Sequence, residues 1–223
     1  VANKRYLNPA KSLFFGAFNT GQWEGDMAFL PFTDVTDEEA AWFENRGIST
    51  LRFDPPTDTS QLTEAQAAQF HKLNLFRTNL RKAATLAKKA KVWPVLKANA
   101  YGHGAIAAAK ICEAEGINRI GVGDSREALE LRENGIGTPL LVLGTVIDSE
   151  LPDMLTHQIE VGVHSELRAR ELNNLASKTR KVLGVHLKID TGMARLGVRP
   201  EAALRVAQTI DEAPYLELRG VMT

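Results

Sequence analysis

Residues 92–123 read VWPVLKANAYGHGAIAAAKICEAEGINRIGVG, and they contain one full structural repeat. An apolar run ends in Lys97. A turn rich in Gly and Asn follows, then a helical pattern from Gly104 to Gly116, then a second apolar run from Ile117 to Gly123. A lysine that closes a core strand is costly to bury unless it is paired or chemically employed.

The same rhythm continues outward in both directions. Upstream, FRTNLRKAATLAKKA (76–90) predicts an amphipathic helix feeding the strand 91–98. Downstream, helices are predicted over 125–135, 148–158, 165–180 and 200–214. Strands are predicted over 138–144, 159–164, 181–190 and 215–222. Ser125 and Ser165 stand where N-caps are wanted, before acidic first turns. Gly116 and Gly135 follow last turns, and Pro200 opens its helix. Six strands joined by five helices force parallel pairing, because each helix returns the chain to the starting edge.

Two architectures carry such alternation: an open doubly wound sheet and a (β/α)8 barrel. No G-x-G-x-x-G turn follows the first strand, which weakens the dinucleotide-binding alternative. The expectation is therefore an α/β fold, a partial (β/α)8 TIM-type barrel of about six units over residues 71–223. A complete one takes about 250 residues. Residues 1–70 read differently, as an unassigned extension or the remnant of a preceding domain. TDEEAAWFENRG predicts a helix with a capping box from Thr36 to Glu39 and a stop at Gly47, ISTLRF a strand, and DPPTDTS a turn region.

Composition bounds the function classes. The chain has 223 residues, with 27 Lys+Arg against 27 Asp+Glu, so no net charge recruits nucleic acid or an anionic membrane. Its single cysteine, Cys112, cannot form an internal disulfide and fits a reducing compartment; it reads as a small buried hydrophobe. No apolar run reaches the roughly 20 residues of a membrane span. His, Cys and Asp show no clustered spacing of a metal site. A cytoplasmic location is expected. Both ends look cut: the chain starts at Val1 and stops on a strand-like run at Thr223.

Strand faces point to the chemistry. Residues two apart share a side, which places Trp93, Val95, Lys97 and Asn99 together. On the strand 181–190, Val182, Gly184, His186, Lys188 and Asp190 share the inner side, and Leu183, Val185, Leu187 and Ile189 the outer one. Lys188 and His186 then point into the barrel, and so does Lys97, at the carboxyl end where active sites of such barrels form. A desolvated lysine there is an amine nucleophile able to form a Schiff base with an aldehyde cofactor. The alternatives are a solvated Lys97 and a Lys188 paired with Asp190. Trp93 and His186 read as barrel filling, His103 as a turn residue, and His157 and His164 as surface or packed residues.

LKANAYGHGA (96–105) resembles the pyridoxal-phosphate lysine motif of alanine racemases. LKIDTGMARLGV (187–198) resembles the second hallmark of that family, in the same order and on the first and fifth strand positions. The likeness extends through SREALELRENGIGTPLLVLG and ELRGVMT. It implies a racemase interconverting L- and D-alanine with pyridoxal 5'-phosphate, supplying D-alanine for peptidoglycan. In that family Lys97 corresponds to the lysine that binds the cofactor and moves a proton on one face of the substrate. Tyr101 corresponds to the tyrosine near the cofactor phosphate. Arg195 corresponds to the arginine that contacts the cofactor and the substrate carboxylate, and Lys188 to a lysine that is often carboxylated. The second base is a tyrosine of the partner subunit's C-terminal β-domain, so a homodimer is implied for the full-length form. That domain and two barrel strands are expected beyond Thr223. A broad-specificity or serine racemase of the same fold, and a non-catalytic cofactor-binding barrel fragment, are the alternatives.

Overall fold

Five parallel strands stand side by side in strict chain order. The computed structural model describes residues 28–29, 36–46, 49–50, 62–87 and 90–223. The chain divides into two compact units, Val1–Ala90 and Lys91–Thr223.

In the first unit, β1 (Ala28–Phe29) pairs in parallel with β2 (Ser49–Thr50). Helix α1 (Asp37–Glu44) opens with the capping box expected from the sequence. The Glu39 amide donates to Thr36 Oγ1 at 3.2 Å, and the Thr36 amide donates to the Glu39 carboxylate at 2.9 Å. Helix α2 (Glu64–Leu86) begins well before Phe76, the start expected from the sequence. A second capping box, Thr63 with Gln66, sets that earlier start. Gly47 and the turn region 54–60 lie outside the described residues, as does most of the strand expected over 48–53.

The second unit runs α3 (Lys97–Gly102), α4 (Ala105–Ala114), β3 (Ile120–Val122), α5 (Ser125–Glu133), β4 (Leu140–Val142), α6 (Leu151–Thr156), β5 (Glu160–Val163), α7 (Glu166–Thr179), β6 (Leu183–Lys188), α8 (Pro200–Asp211), β7 (Leu216–Met222). A doubly wound sheet reverses its strand order at a switch point. This sheet keeps the order β3-β4-β5-β6-β7 without reversal, which is the order of a barrel wall.

The two faces of the wall differ as the alternation predicts. Ile120, Val122, Leu140, Val142, Val161, Val163, Leu183, Val185 and Leu187 are all 0–2% exposed. These residues form the layer between sheet and helices, together with Ala108, Ala109 and Cys112 of α4, Leu172 and Ala176 of α7, and Val206 and Ile210 of α8. Burying each large aliphatic side chain in such a layer stabilises by about 1.5–3 kcal/mol. The opposite face carries Gly121, Gly123, Glu160, Gly162, Gly184, His186 and Lys188. A β-bulge at Arg219 lets Glu217, Arg219, Gly220 and Met222 all share that face.

Three expectations are corrected. The first strand, expected over 91–98, is reduced to one parallel bridge, Val95 to Gly121. Pro94 has no amide to donate, and the chain leaves the ladder after Leu96. Asn99 therefore does not share a strand face with Lys97. The cap of α5 is Asp124, whose carboxylate accepts the Glu127 amide at 3.0 Å; Ser125 is the first helical residue and is buried. Ser165 does cap α7, accepting the Arg168 amide at 3.1 Å.

Candidate active site on the carboxyl rim

Lys97 stands at the start of α3, and the next four residues wind left-handed. Ala98, Asn99, Ala100 and Tyr101 all have φ of 52–53°. Left-handed backbone disfavours a residue with a Cβ by about 1–2 kcal/mol and is visited by single residues rather than runs. A run of four must be held by its surroundings. The Ala98 amide donates to Glu127 Oε1 at 2.6 Å, and the Gly123 amide donates to Oε2 of the same carboxylate at 2.7 Å. Asn99 Oδ1 accepts the Ala105 amide at 2.6 Å, which starts α4. His103 Nδ1 lies 2.8 Å from the Ala100 carbonyl, so this histidine serves the turn.

Glycines on the neighbouring strands let the backbones approach. A Cβ on Gly123 would lie 3.1 Å from Lys97 Cβ and 3.0 Å from Glu127 Oε2. A Cβ on Gly144 would lie 2.5 Å from the Gly123 carbonyl oxygen. The Lys97 side chain is exposed, and its ammonium sits 5.8 Å from the Tyr101 ring centroid. Among the described residues no ion pair is recorded for Lys97. An amine held by its backbone yet exposed suits covalent capture of an aldehyde.

Lys188 and Arg195 form a second group. Lys188 ends β6 and is half-buried; Arg195 is exposed on the loop 191–197. Both line one cavity of about 320 Å³, together with Asp190, Met193 and Thr223. The loop is folded back on β6, because the Val198 amide donates to the Lys188 carbonyl and the Asp190 amide to the Val198 carbonyl, both at 2.8 Å. Asp190 Oδ1 accepts the amides of Gly192 and Ala194, both at 3.0 Å. These amides, with that of Met193 and the Lys188 charge, hold its carboxyl below the usual range. Since all strands are parallel, Lys97 and the Lys188–Arg195 pair occupy the same rim. Lys97 and Tyr101 are brought together there; they do not line the cavity of Lys188 and Arg195.

Below the rim lies a polar cluster that sequence reasoning missed. Glu160 binds both Arg119 at 2.8 Å and His186 at 2.6 Å. Trp93, 42% exposed, meets His186 edge-on at 6.0 Å, with the Arg119 guanidinium 4.6 Å from its ring. His186 does fill the interior, at 1% exposure, but as a hydrogen-bond partner of Glu160. The signal was available: Arg119, Glu160 and His186 lie on inward positions of their strands. His164 is half-buried, and burial followed by the nearby Arg168 charge pulls its pKa down. His157 is exposed, and its carbonyl accepts from Arg132 Nε. Among the described residues no group of three or more potential ligands could hold a metal, and no helix is long and apolar enough to cross a membrane.

A family model described as the N-terminal domain of alanine racemase matches residues 71–223. An alanine racemase of Methanococcus maripaludis is 38% identical over 153 residues, 68% of this chain and 41% of that protein. One from Treponema denticola is 43% identical over 138 residues, 62% of this chain and 36% of that protein. Among solved structures, alanine racemase of Clostridium difficile in complex with cycloserine superposes with a TM-score of 0.62 at 35% identity, over 67% of this chain and 41% of that one. A histidine racemase of Leuconostoc mesenteroides superposes with a TM-score of 0.59 at 26% identity, over 63% of this chain and 38% of that one. The chain thus spans about two-fifths of the length of the relatives it matches.

Proposed function

The chain belongs to the alanine racemase N-terminal domain family, and from that premise we propose that it is the lysine-bearing part of a racemase interconverting L- and D-alanine. The supporting observation is the exposed Lys97 amine, without an ion pair among the described residues, set on the rim by a left-handed turn beside Gly123. Pyridoxal 5'-phosphate, when bound, supplies the electron sink that makes loss of the α-proton feasible. Lys97 would hold that cofactor through its amine and, once the substrate amine has displaced it, would take or return a proton at Cα on one face. Tyr101 would contact the cofactor phosphate. Arg195 offers a planar fork of donors for the substrate carboxylate, a geometry a lysine cannot match. Carboxylation of Lys188 would turn a half-buried cation into an anion able to orient Arg195 in their shared cavity.

On this reading the opposite-face base is a tyrosine of the partner subunit's C-terminal β-domain. A homodimer in the cytoplasm, delivering D-alanine to cell-wall peptide, is the setting this reading proposes. A broader racemase acting on other amino acids is the second reading, favoured by the likeness to the histidine racemase.

Incubation with pyridoxal phosphate, borohydride reduction and peptide mapping test the site. The label should fall on Lys97, and a label elsewhere or none removes the basis of the proposal. Racemisation of L-alanine, L-serine and L-histidine by the full-length gene product then ranks the two readings. Mass spectrometry of the intact chain checks Lys188 for added carbon dioxide.

A further inference from the structure

We infer that Glu127 is a positioning residue for Lys97, clamping the first backbone amide after it; this rests on Lys97 being the cofactor amine. Three observations converge on Glu127. Its two carboxylate oxygens serve different amides, Ala98 at 2.6 Å and Gly123 at 2.7 Å. Those amides belong to the segment following the first strand position and to the end of β3, so one side chain ties the Lys97 turn to the neighbouring strand. Both bonds are short and charge-assisted, the strong kind. The same turn carries four consecutive left-handed residues, a backbone that the preferences of Ala98, Ala100 and Tyr101 oppose.

Glu127 is itself fixed. It is the third residue of α5, and its amide donates to Asp124 Oδ1 at 3.0 Å. Its carboxylate therefore curls over a helix N-terminus, where negative charge is favoured. Gly123 completes the device, since a Cβ there would press on both Glu127 Oε2 and Lys97 Cβ. Because Ala98 follows Lys97 directly, release of its amide lets the Lys97 Cα–Cβ bond reorient relative to β3. Glu127 touches no reacting atom in this arrangement; it acts through the backbone.

The test compares the chain with E127Q and E127A. Glutamine keeps one acceptor oxygen and can satisfy one amide; alanine satisfies neither. Hydrogen exchange at Ala98 and Gly123 should quicken about tenfold or more at one amide in E127Q and at both in E127A, with Ile120 and Val122 still protected as a check on folding. The ring-current shift that Tyr101 imposes on the Lys97 ε-methylene signals should shrink in the same order, a readout that needs no cofactor. Borohydride-trapped pyridoxal phosphate at Lys97 should fall at least tenfold. Unchanged exchange in E127Q overturns the clamp. Faster exchange with unchanged Lys97 shift and trapping overturns the positioning role. If E127A does not fold, E127Q carries the same decision. A wild-type chain that traps nothing at Lys97 refutes the cofactor reading instead, and the ring-current comparison still decides the clamp.

Discussion

His186 Nε2 and Glu160 Oε2 lie 2.6 Å apart inside the barrel wall, with His186 only 1% exposed. An ionised carboxylate can only accept, so the ring nitrogen donates. Burial alone would push the Glu160 carboxyl up. The His186 hydrogen bond and the charges of Arg119, His186 and Arg219 outweigh burial and hold it below the usual range.

A depressed folded-state pKa gives stability that is present above the unfolded value and lost as pH falls through the folded one. Glu160 should therefore contribute to unfolding of the chain below about pH 4.5, the ordinary glutamate value. E160Q should flatten the pH dependence of the denaturant midpoint in that range. E160A, which leaves Arg119 and His186 without their partner, should cost about 3–5 kcal/mol at neutral pH. A midpoint for E160A equal to wild type would show that the cluster adds nothing to stability.

Cys112 sits in the helix–sheet layer at 0% exposure, and burial pushes its thiol up to about 12. The thiolate is the reactive form. At pH 8 a chromogenic disulfide reagent should give no signal with the folded chain and one thiol per chain in denaturant. Reaction at the unfolded rate without denaturant would mean that α4 opens readily.

The helices and the apolar outer face were legible in the sequence because periods of 3.6 and 2 are local signals. Leu183, Val185 and Leu187 alternate with Gly184, His186 and Lys188 in the folded strand as they do on paper. The Lys97 turn was legible only as a turn. Gly102 and Gly104 announce a reversal and Asn99 tolerates a left-handed backbone, but left-handed Ala98, Ala100 and Tyr101 contradict residue preference. The partner that holds them, Glu127, lies 29 residues from Ala98 and leaves no local trace. The Arg119–Glu160–His186 cluster was missed for a related reason: strand parity turns all three inward, but only the alignment of the strands brings them together.

Gly144 is a close-approach position without unusual backbone. An added Cβ would stand 2.5 Å from the Gly123 carbonyl oxygen, and backbone cannot swing away as a side chain can. G144A should destabilise by about 1–3 kcal/mol, the range for overpacking. It should also shift Gly123, and with it the Glu127 bonds beside Lys97. Denaturant midpoints and the Ala98 amide resonance report both effects. An unchanged midpoint would mean that β4 and β3 separate at negligible cost.

Asp190 governs the loop that carries Arg195. One oxygen accepts both the Gly192 and Ala194 amides, and Ala194 is itself left-handed at φ 53°. An asparagine can keep an acceptor oxygen in the same place, whereas alanine cannot. D190A should expose both amides to exchange and release Arg195, while D190N keeps them protected. The carboxyl is held below its ordinary value chiefly by those amides, so the ionised form and the loop should persist as pH falls through 3.8. Amide exchange against pH for wild type, D190N and D190A separates the hydrogen bonds from the charge. Equal protection in D190A would place the loop's order in the Val198–Lys188 pairing rather than in Asp190.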